Sequence, residues 1–343
     1  MKLFLTGGTG FLGSELVERL APHFEKIYLL CRRPSKRMEL RFEDLPNIEL
    51  VKGDISGPDI IEEAGILKKI KEEVDVIFHG AAYYDIEGPY SSCFMYNVVG
   101  TQNILYLANQ CTNLKHFHYI STIAVAGNYT GLFSENSLKE GQRFSNHYAK
   151  TKYDAEAMVR SFEFGGSKHI YRLGILVGDS KTGKMPKVDG PYYFFKFLSK
   201  AKNKFKHLNK IKYLPLPFDE KAVMPFIPVD EAVNILEEAM AHPREGKLNC
   251  YHVIGDSPPS VSRFVEDSLK AFGINLEVLP LPHSPLYKML LPRIGLPSEL
   301  LLYMYGKCQY ETSHLINDFS GVPRKSYRDY ASPFYEYAKE MFK

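Results

Sequence analysis

The sequence predicts an α/β protein: a doubly wound parallel sheet with a smaller C-terminal α/β lobe. Three observations carry that prediction. A short apolar run at the start of the chain stops on a glycine-rich turn and passes straight into a helix-patterned stretch. The same alternation of apolar run and helical pattern repeats through residue 180. The first, third, fourth and fifth runs end on small or hydroxyl residues, which leave room for a ligand at the carboxyl edge of a parallel sheet.

Lys2-Leu3-Phe4-Leu5-Thr6 reads as a buried parallel strand. It meets Gly7-Gly8-Thr9-Gly10-Phe11-Leu12-Gly13, and residues 14–21 read as a helix with Leu16, Val17 and Leu20 on one face. Strand, glycine turn and helix in that order make a Rossmann-type dinucleotide-binding unit. Gly7 allows the tight turn, Gly10 lets backbone approach a pyrophosphate, and Gly13 allows close helix–strand packing. The helix N-terminus turns its N–H groups and partial positive charge to the phosphates.

The second strand, 27–31, ends on Arg32 and Arg33, with Lys36 and Arg37 close behind. An acid in that place would accept from the adenosine ribose hydroxyls. An arginine instead meets a 2′-phosphate with bidentate, charge-assisted bonds. The cofactor expected is therefore NADP (NADPH), with NAD as the alternative and a solvated basic loop as the bland reading of the arginines. A third strand, 48–51, ends on Gly53-Asp54-Ile55, where Asp54 either accepts from the adenine amino group or caps the next turn. Residues 58–71 read as a helix, whole or in two pieces. The fourth strand, 74–79, ends on Gly80-Ala81-Ala82, and His79 reads as buried and hydrogen-bonded. A helix over 97–110 leads to the fifth strand, 117–120, which ends on Ser121-Thr122.

Tyr148 and Lys152 stand four apart, one turn of a helix. A cation beside a phenol favours the phenolate and lowers its pKa from about 10. That makes the tyrosine a proton donor or acceptor near neutral pH.

These motifs, in this order over roughly the first half of the chain, resemble an extended short-chain dehydrogenase/reductase. The resemblance is carried by Thr6 to Gly13, Gly53-Asp54-Ile55, His79 to Ala82, Ser121-Thr122 and the Tyr148/Lys152 pair. It implies a triad of Thr122, Tyr148 and Lys152, with Ser121 as the neighbour that a one-residue slip would exchange for Thr122. It also implies that Asn97 helps to hold Lys152 through a water relay. The implied cofactor cradle comprises Thr6, Gly7, Gly10, Phe11, Leu12 and Gly13, then Arg32, Arg33, Asp54 and Ile55. Gly80, Ala81, Ala82, Leu173 and Ile175 complete it, together with Tyr148 and Lys152. Further on, Tyr83-Tyr84-Asp85, the run 140–146 and the sixth-strand segment 171–180 resemble the branch of fatty acyl reductases and thioester-reductase domains, the male-sterility-like proteins. Leu173 stands where that branch typically carries proline. The branch implies hydride transfer to a carbonyl or acyl thioester, with Tyr148 as general acid. A 3β-hydroxysteroid dehydrogenase-like enzyme, a nucleotide-sugar epimerase or dehydratase, and a non-catalytic NADP sensor are the rivals.

After residue 183 the alternation breaks, so residues 1–183 are expected to form the dinucleotide-binding domain. Residues 184–343 are expected to form a substrate lobe, with some strands and helices returning to the main core. Residues 191–199 hold Tyr192, Tyr193, Phe194, Phe195 and Phe197, a helix apolar nearly all round and therefore buried or lining a pocket. Lys200, Lys202, Lys204, Lys206, Lys210 and Lys212 follow, either a solvated face or a docking surface for coenzyme A phosphates or an acidic carrier protein. Asp230 reads as the N-cap of a helix over 231–240. A strand over 248–254, a helix over 261–272 capped by Ser260 and a terminal helix over 327–342 complete the lobe. Residues 286–305 are dense in apolar side chains and read as a substrate-site wall, a lid, a dimer face or a membrane contact.

The chain has 343 residues, 45% apolar and 24% charged, with a net charge of +3. That balance excludes a global nucleic-acid field. Five scattered cysteines without ligand spacing predict no metal site and suit a reducing compartment. No apolar run approaches the roughly 18 residues of a membrane span, and no leader precedes the first strand, so a cytoplasmic protein is expected. Homodimers are common among such enzymes, and a homodimer stays open here.

Overall fold

The computed structural model describes residues 1–206, 212–296 and 298–343. Seven strands form one sheet: β1 (Lys2–Thr6), β2 (Lys26–Cys31), β3 (Ile48–Lys52), β4 (Val76–His79), β5 (His116–Thr122), β6 (Ser167–Leu173) and β7 (Leu248–Val253). Their order is 7-6-5-4-1-2-3, and every neighbouring pair is parallel. Chain direction across the sheet reverses between β1 and β4, which opens a crevice at their carboxyl ends.

Pleating divides each strand between two cores. Leu3 and Leu5 pack with α1 (Phe11–Leu20) through Leu16, Val17 and Leu20. Phe4, between them, packs on the other face with Ile70 of α2 (Ala64–Glu73) and Ile104 of α3 (Gly100–Ala108). The helix α4 (His147–Ser161) joins that face through Ala155 and Val159. A long aromatic helix, α5 (Pro191–Lys206), follows. The first core is completed by α6 (Val229–Ala241), whose Ala232, Val233 and Leu236 are fully buried. Residues 229–253, from the second half of the chain, thus return to the main sheet.

A third core holds much of the rest of the C-terminal half. Phe195 of α5 meets Phe264 and Phe272 at α7 (Val261–Ala271), and Phe334 and Tyr335 at α9 (Tyr327–Met341). Between them in sequence lies the short helix α8 (Tyr287–Arg293). Tyr192, Phe195 and Leu198 are wholly buried, the core reading of the aromatic run. Of the lysine series, Lys212 is exposed and paired with Glu277 at 3.2 Å. Lys210 and the side chains of Lys202, Lys204 and Lys206 lie outside the described residues.

Several expected elements differ. The helix expected over 58–71 starts only at Ala64, because Ile60 and Ile61 enter the core and Glu62 N–H donates to the Lys52 carbonyl at the end of β3. Asp230 does not cap α6. The helix begins at Val229 behind Pro228, and the Asp230 carboxylate instead accepts from Ser180 N–H (2.8 Å) and Oγ (2.6 Å). The sixth-strand segment breaks at Gly174, where a Cβ would lie 2.4 Å from the Pro225 carbonyl oxygen. Ile175–Val177 then pairs with Phe226–Pro228 as a separate two-stranded sheet.

Candidate active site

The crevice begins with glycine. Gly7 has φ +86°, and a Cβ there would lie 2.5 Å from Ala81 N. A Cβ on Gly13 would lie 2.2 Å from the Gly7 carbonyl oxygen, so α1 could not sit this close to the turn. Gly10 differs. Its nearest neighbour is the Gly7 carbonyl oxygen at 3.4 Å, and its outer side opens on the cavity. No side chain caps α1, and its first turn has no acid. Free N–H groups around an open glycine fit a pyrophosphate. Gly13→Ala should therefore weaken cofactor binding at least about tenfold, ~1.4 kcal/mol, by fluorescence titration. Gly165→Ala, with nothing within 4 Å of its Cβ, should not; equal effects would refute the cradle.

Thr6 and Ala81 lie beneath this floor. Ala81 N–H donates to Thr6 Oγ1 (3.2 Å), which in turn bonds His79 Nδ1 (2.8 Å). His79 Nε2 bonds Thr101 Oγ1 (3.1 Å), and Thr101 donates to the Asn97 carbonyl (2.6 Å). Burial, aided by the Lys152 charge, pushes His79 down to about 3. A neutral ring with its proton on Nε2 satisfies every bond in this chain.

A cavity of about 480 Å³ runs from Gly7, Gly10, Phe11, Leu12 and Gly13 past Gly80 and Ala82. It continues to Thr122, Tyr148 and Lys152, with Leu173 and Ile175 on its wall. The helix carrying the pair starts on Asn146, whose side chain accepts from Ala149 N–H at 2.8 Å. Tyr148 is thereby placed in the first turn and Lys152 in the next. The pleat of β5 separates its two terminal hydroxyls. Ser121 donates to Glu156 Oε2 at 2.6 Å, whereas Thr122 interacts with the Tyr148 phenol.

The electrostatics differ from the sequence expectation. Lys152 is buried and donates to Tyr119 Oη and to the Ile120 carbonyl, both at 2.7 Å. Its ammonium lies 4.2 Å from the Tyr119 ring centre. Burial pushes Lys152 down to about 7, against the raising effect of Glu156 one turn on. Tyr148 is raised from its ordinary value, chiefly by burial and next by Tyr303, with Thr122 opposing. The expected lowering by Lys152 is absent because its protons are directed at Tyr119 and Ile120 and desolvation dominates the phenol. Tyr148 therefore stays protonated through neutral pH.

Other expected residues stand outside the cavity. Arg32 and Arg33 are exposed just past β2, with the Arg32 guanidinium 5.3 Å from the Tyr96 ring centre and Nη1 donating to its hydroxyl at 3.3 Å. Asp54 Oδ1 accepts from Ser56 N–H (2.9 Å) and Oγ (2.8 Å), a turn cap. Ile55 is buried against Gly100. Asn97 lies in a π-helical turn, Phe94–Val99, just before α3. Its amide donates to the Tyr83 carbonyl and Thr151 Oγ1 and accepts from Tyr83 N–H, so both its side-chain protons are committed away from Lys152.

Sequence reasoning missed the outer wall. Tyr84 meets the Tyr148 ring edge-on at 4.9 Å and donates to Asp189 Oδ1 at 3.2 Å. Lys187 Nζ lies 3.6 Å from Asp189 Oδ2 and 4.9 Å from the Tyr84 ring centre. Burial pushes the Asp189 carboxyl up, with Lys187 opposing. Tyr84 belongs to the Tyr83-Tyr84-Asp85 signal and Tyr303 to the 286–305 run read as a substrate-site wall, but Lys187 and Asp189 sit in no motif and arrive only by folding. Among the described residues, no group of His, Cys, Asp and Glu side chains is placed to hold a metal ion.

Glycine cradle, parallel sheet and the Thr122/Tyr148/Lys152 cluster define an NAD(P)-dependent oxidoreductase of the extended short-chain type. Residues 5–236 match the family model described as male sterility protein (NAD_binding_4), and the chain belongs to that family. It is 29% identical over 237 residues to the fatty acyl-CoA reductase wat of Drosophila melanogaster, which covers 55% of this chain and 46% of that protein. It is 29% identical over 219 residues to a carboxylic acid reductase of Segniliparus rugosus, covering 53% of this chain and 18% of that protein. The chain thus spans less than half the length of these relatives. The terminal R domain of the myxalamid PKS-NRPS biosynthetic pathway superposes with a TM-score of 0.78 at 25% identity, over 100% of this chain and 91% of that one. A UDP-glucuronic acid 4-epimerase of Bacillus cereus with NAD, at 20% identity and a TM-score of 0.67, shares the fold.

Proposed function

We propose that this chain uses NADPH to reduce the carbonyl of an apolar acyl thioester, releasing thiol and aldehyde. The observation that carries the reading is the continuous cavity from the Gly10 cradle to Tyr148, whose far wall turns apolar at Ile86, Met185, Met224 and Leu300. The names of the relatives, fatty acyl-CoA reductase and carboxylic acid reductase, point the same way. A bound reduced nicotinamide dinucleotide supplies the hydride. Gly7, Gly10 and the α1 N-terminus hold its pyrophosphate, and Arg32 and Arg33 take its 2′-phosphate. Thr122 and Tyr148 hydrogen-bond the substrate carbonyl oxygen. Tyr148, protonated at neutral pH, gives that oxygen its proton. Lys152 positions the nicotinamide ribose. Residues 1–183 form the dinucleotide-binding domain with the catalytic residues, and 184–343 form the substrate lobe, apart from the segments that return to the main sheet. The five free cysteines suit the cytoplasm.

NADPH consumption against acyl-CoA, aldehyde, ketone and sterol panels tests the reading. Turnover is expected with acyl-CoA, and turnover on sterols alone would refute it. Arg32→Glu should remove most of the NADP preference, since it replaces a bidentate partner of the 2′-phosphate by a like charge. Unchanged discrimination between NADPH and NADH would sink that assignment.

A further inference from the structure

The apolar face of α8 points the wrong way for a core helix. Leu286, Met289, Leu290 and Ile294 are 63%, 62%, 47% and 48% exposed. These are four of the fifteen large apolar side chains exposed among the described residues, and they fall within nine positions, so they form a patch and not scatter. At 100° per residue they share one side of the helix with Arg293, while Leu291 is buried on another. None of the four lines either cavity. Lys288, on the opposite side of the helix from that face, lines a second cavity of about 380 Å³. That cavity shares Tyr303 with the one at Tyr148. No acid occurs in the sequence between Glu277 and Glu299, whereas Lys288 and Arg293 fall inside that span.

We propose that the 286–294 face rests on an anionic lipid surface, beside the cavity through which an apolar substrate reaches Tyr148. Delivery of the substrate rests on the proposed function; the contact itself does not. Apolar side chains that stand out from the surface suit insertion among acyl chains, and the acid-free basic span suits anionic headgroups. A second copy fits poorly, because it would bury Arg293 of both copies on a face where the span between Glu277 and Glu299 offers no acid to pair with them. Lipid also holds the apolar substrate that the second cavity would receive.

The test is sedimentation of the full chain with vesicles of equal parts phosphatidylcholine and phosphatidylglycerol, without cofactor or substrate. Binding is expected, weakened by salt, and reduced at least about tenfold in Leu290→Glu/Ile294→Glu. The double variant should keep its thermal midpoint and its turnover of a soluble short-chain substrate. Its failure there is a failure of folding or of the proposed function, and wild-type binding without substrate still decides the proposal. No vesicle binding, or binding unchanged in the double variant, overturns the inference. So does a dimer, or saturable binding to an acidic acyl carrier protein, that the same substitutions abolish.

Discussion

Tyr148→Phe is expected to lower turnover by roughly 10²–10⁴-fold, the usual contribution of a positioned general acid. Cofactor affinity should stay within about twofold, since the glycine turn at the pyrophosphate and the arginines assigned to the 2′-phosphate are untouched. The substitution deletes one oxygen. The ring keeps its edge-on contact with Tyr84 at 4.9 Å, and α4 keeps its Asn146 cap. What disappears is the proton that burial holds on the phenol and the interaction with Thr122. The raised pKa gives the prediction a sign: loss of the phenolic proton should not limit wild-type activity from neutral to mildly alkaline pH. Steady-state turnover with NADPH and a cofactor titration on the same preparation check it. A variant that turns over at more than a tenth of the wild-type rate would mean that the proton comes from elsewhere.

The Rossmann half was legible because its instructions are local. A glycine turn, a strand of alternating faces and a Tyr/Lys pair one helical turn apart each act over a few residues. Ser121 and Thr122 could not be separated in sequence, because adjacent strand residues differ only in which face they take. Folding gives them different partners: Glu156 takes the Ser121 hydroxyl at 2.6 Å, and Thr122 faces the Tyr148 phenol. The electrostatics were not legible either. Spacing places Lys152 near Tyr148 but does not reveal that Tyr119, 33 residues away, receives its proton. Asp189 reaches the cavity from a segment 41 residues beyond Tyr148, where no periodicity marks it. For residues 286–305 the sequence left a substrate-site wall, a lid, a dimer face and a membrane contact open for a related reason. A short apolar run does not show which side the rest of the protein takes.

Replacing Arg172 with methionine should cost about 3–5 kcal/mol of stability, because it strands a buried carboxylate. Arg172 and Glu156 are both fully inaccessible, and Arg172 Nη2 lies 2.7 Å from Glu156 Oε1. The remaining Arg172 protons go to Glu156, to His252 Nε2 (3.0 Å) and to carbonyls of the 134–137 loop, including that of Ser137. Glu156 sits one turn from Lys152 on α4 and also holds Ser121, so this pair fixes the floor of the site. Burial pushes the Glu156 carboxyl up, yet Arg172, Arg160 and the Ser121 hydroxyl outweigh it and hold it below its ordinary value. In the wild type the pair therefore contributes stability present above the unfolded carboxylate pKa and lost as pH falls through the lower folded value. Without Arg172, only the partly exposed Arg160 and the neutral Ser121 hydroxyl remain against desolvation. The folded pKa should then rise above the unfolded one, and the sign reverses: the variant is least impaired at low pH and loses stability as pH rises between those two values. Urea unfolding of the variant across pH measures this directly. Adding Glu156→Gln should restore part of the loss, since it removes the stranded charge rather than a contact. A double variant no more stable than Arg172→Met would mean that the arginine acts by filling space and tethering the 134–137 loop, not by neutralising the carboxylate beneath Lys152.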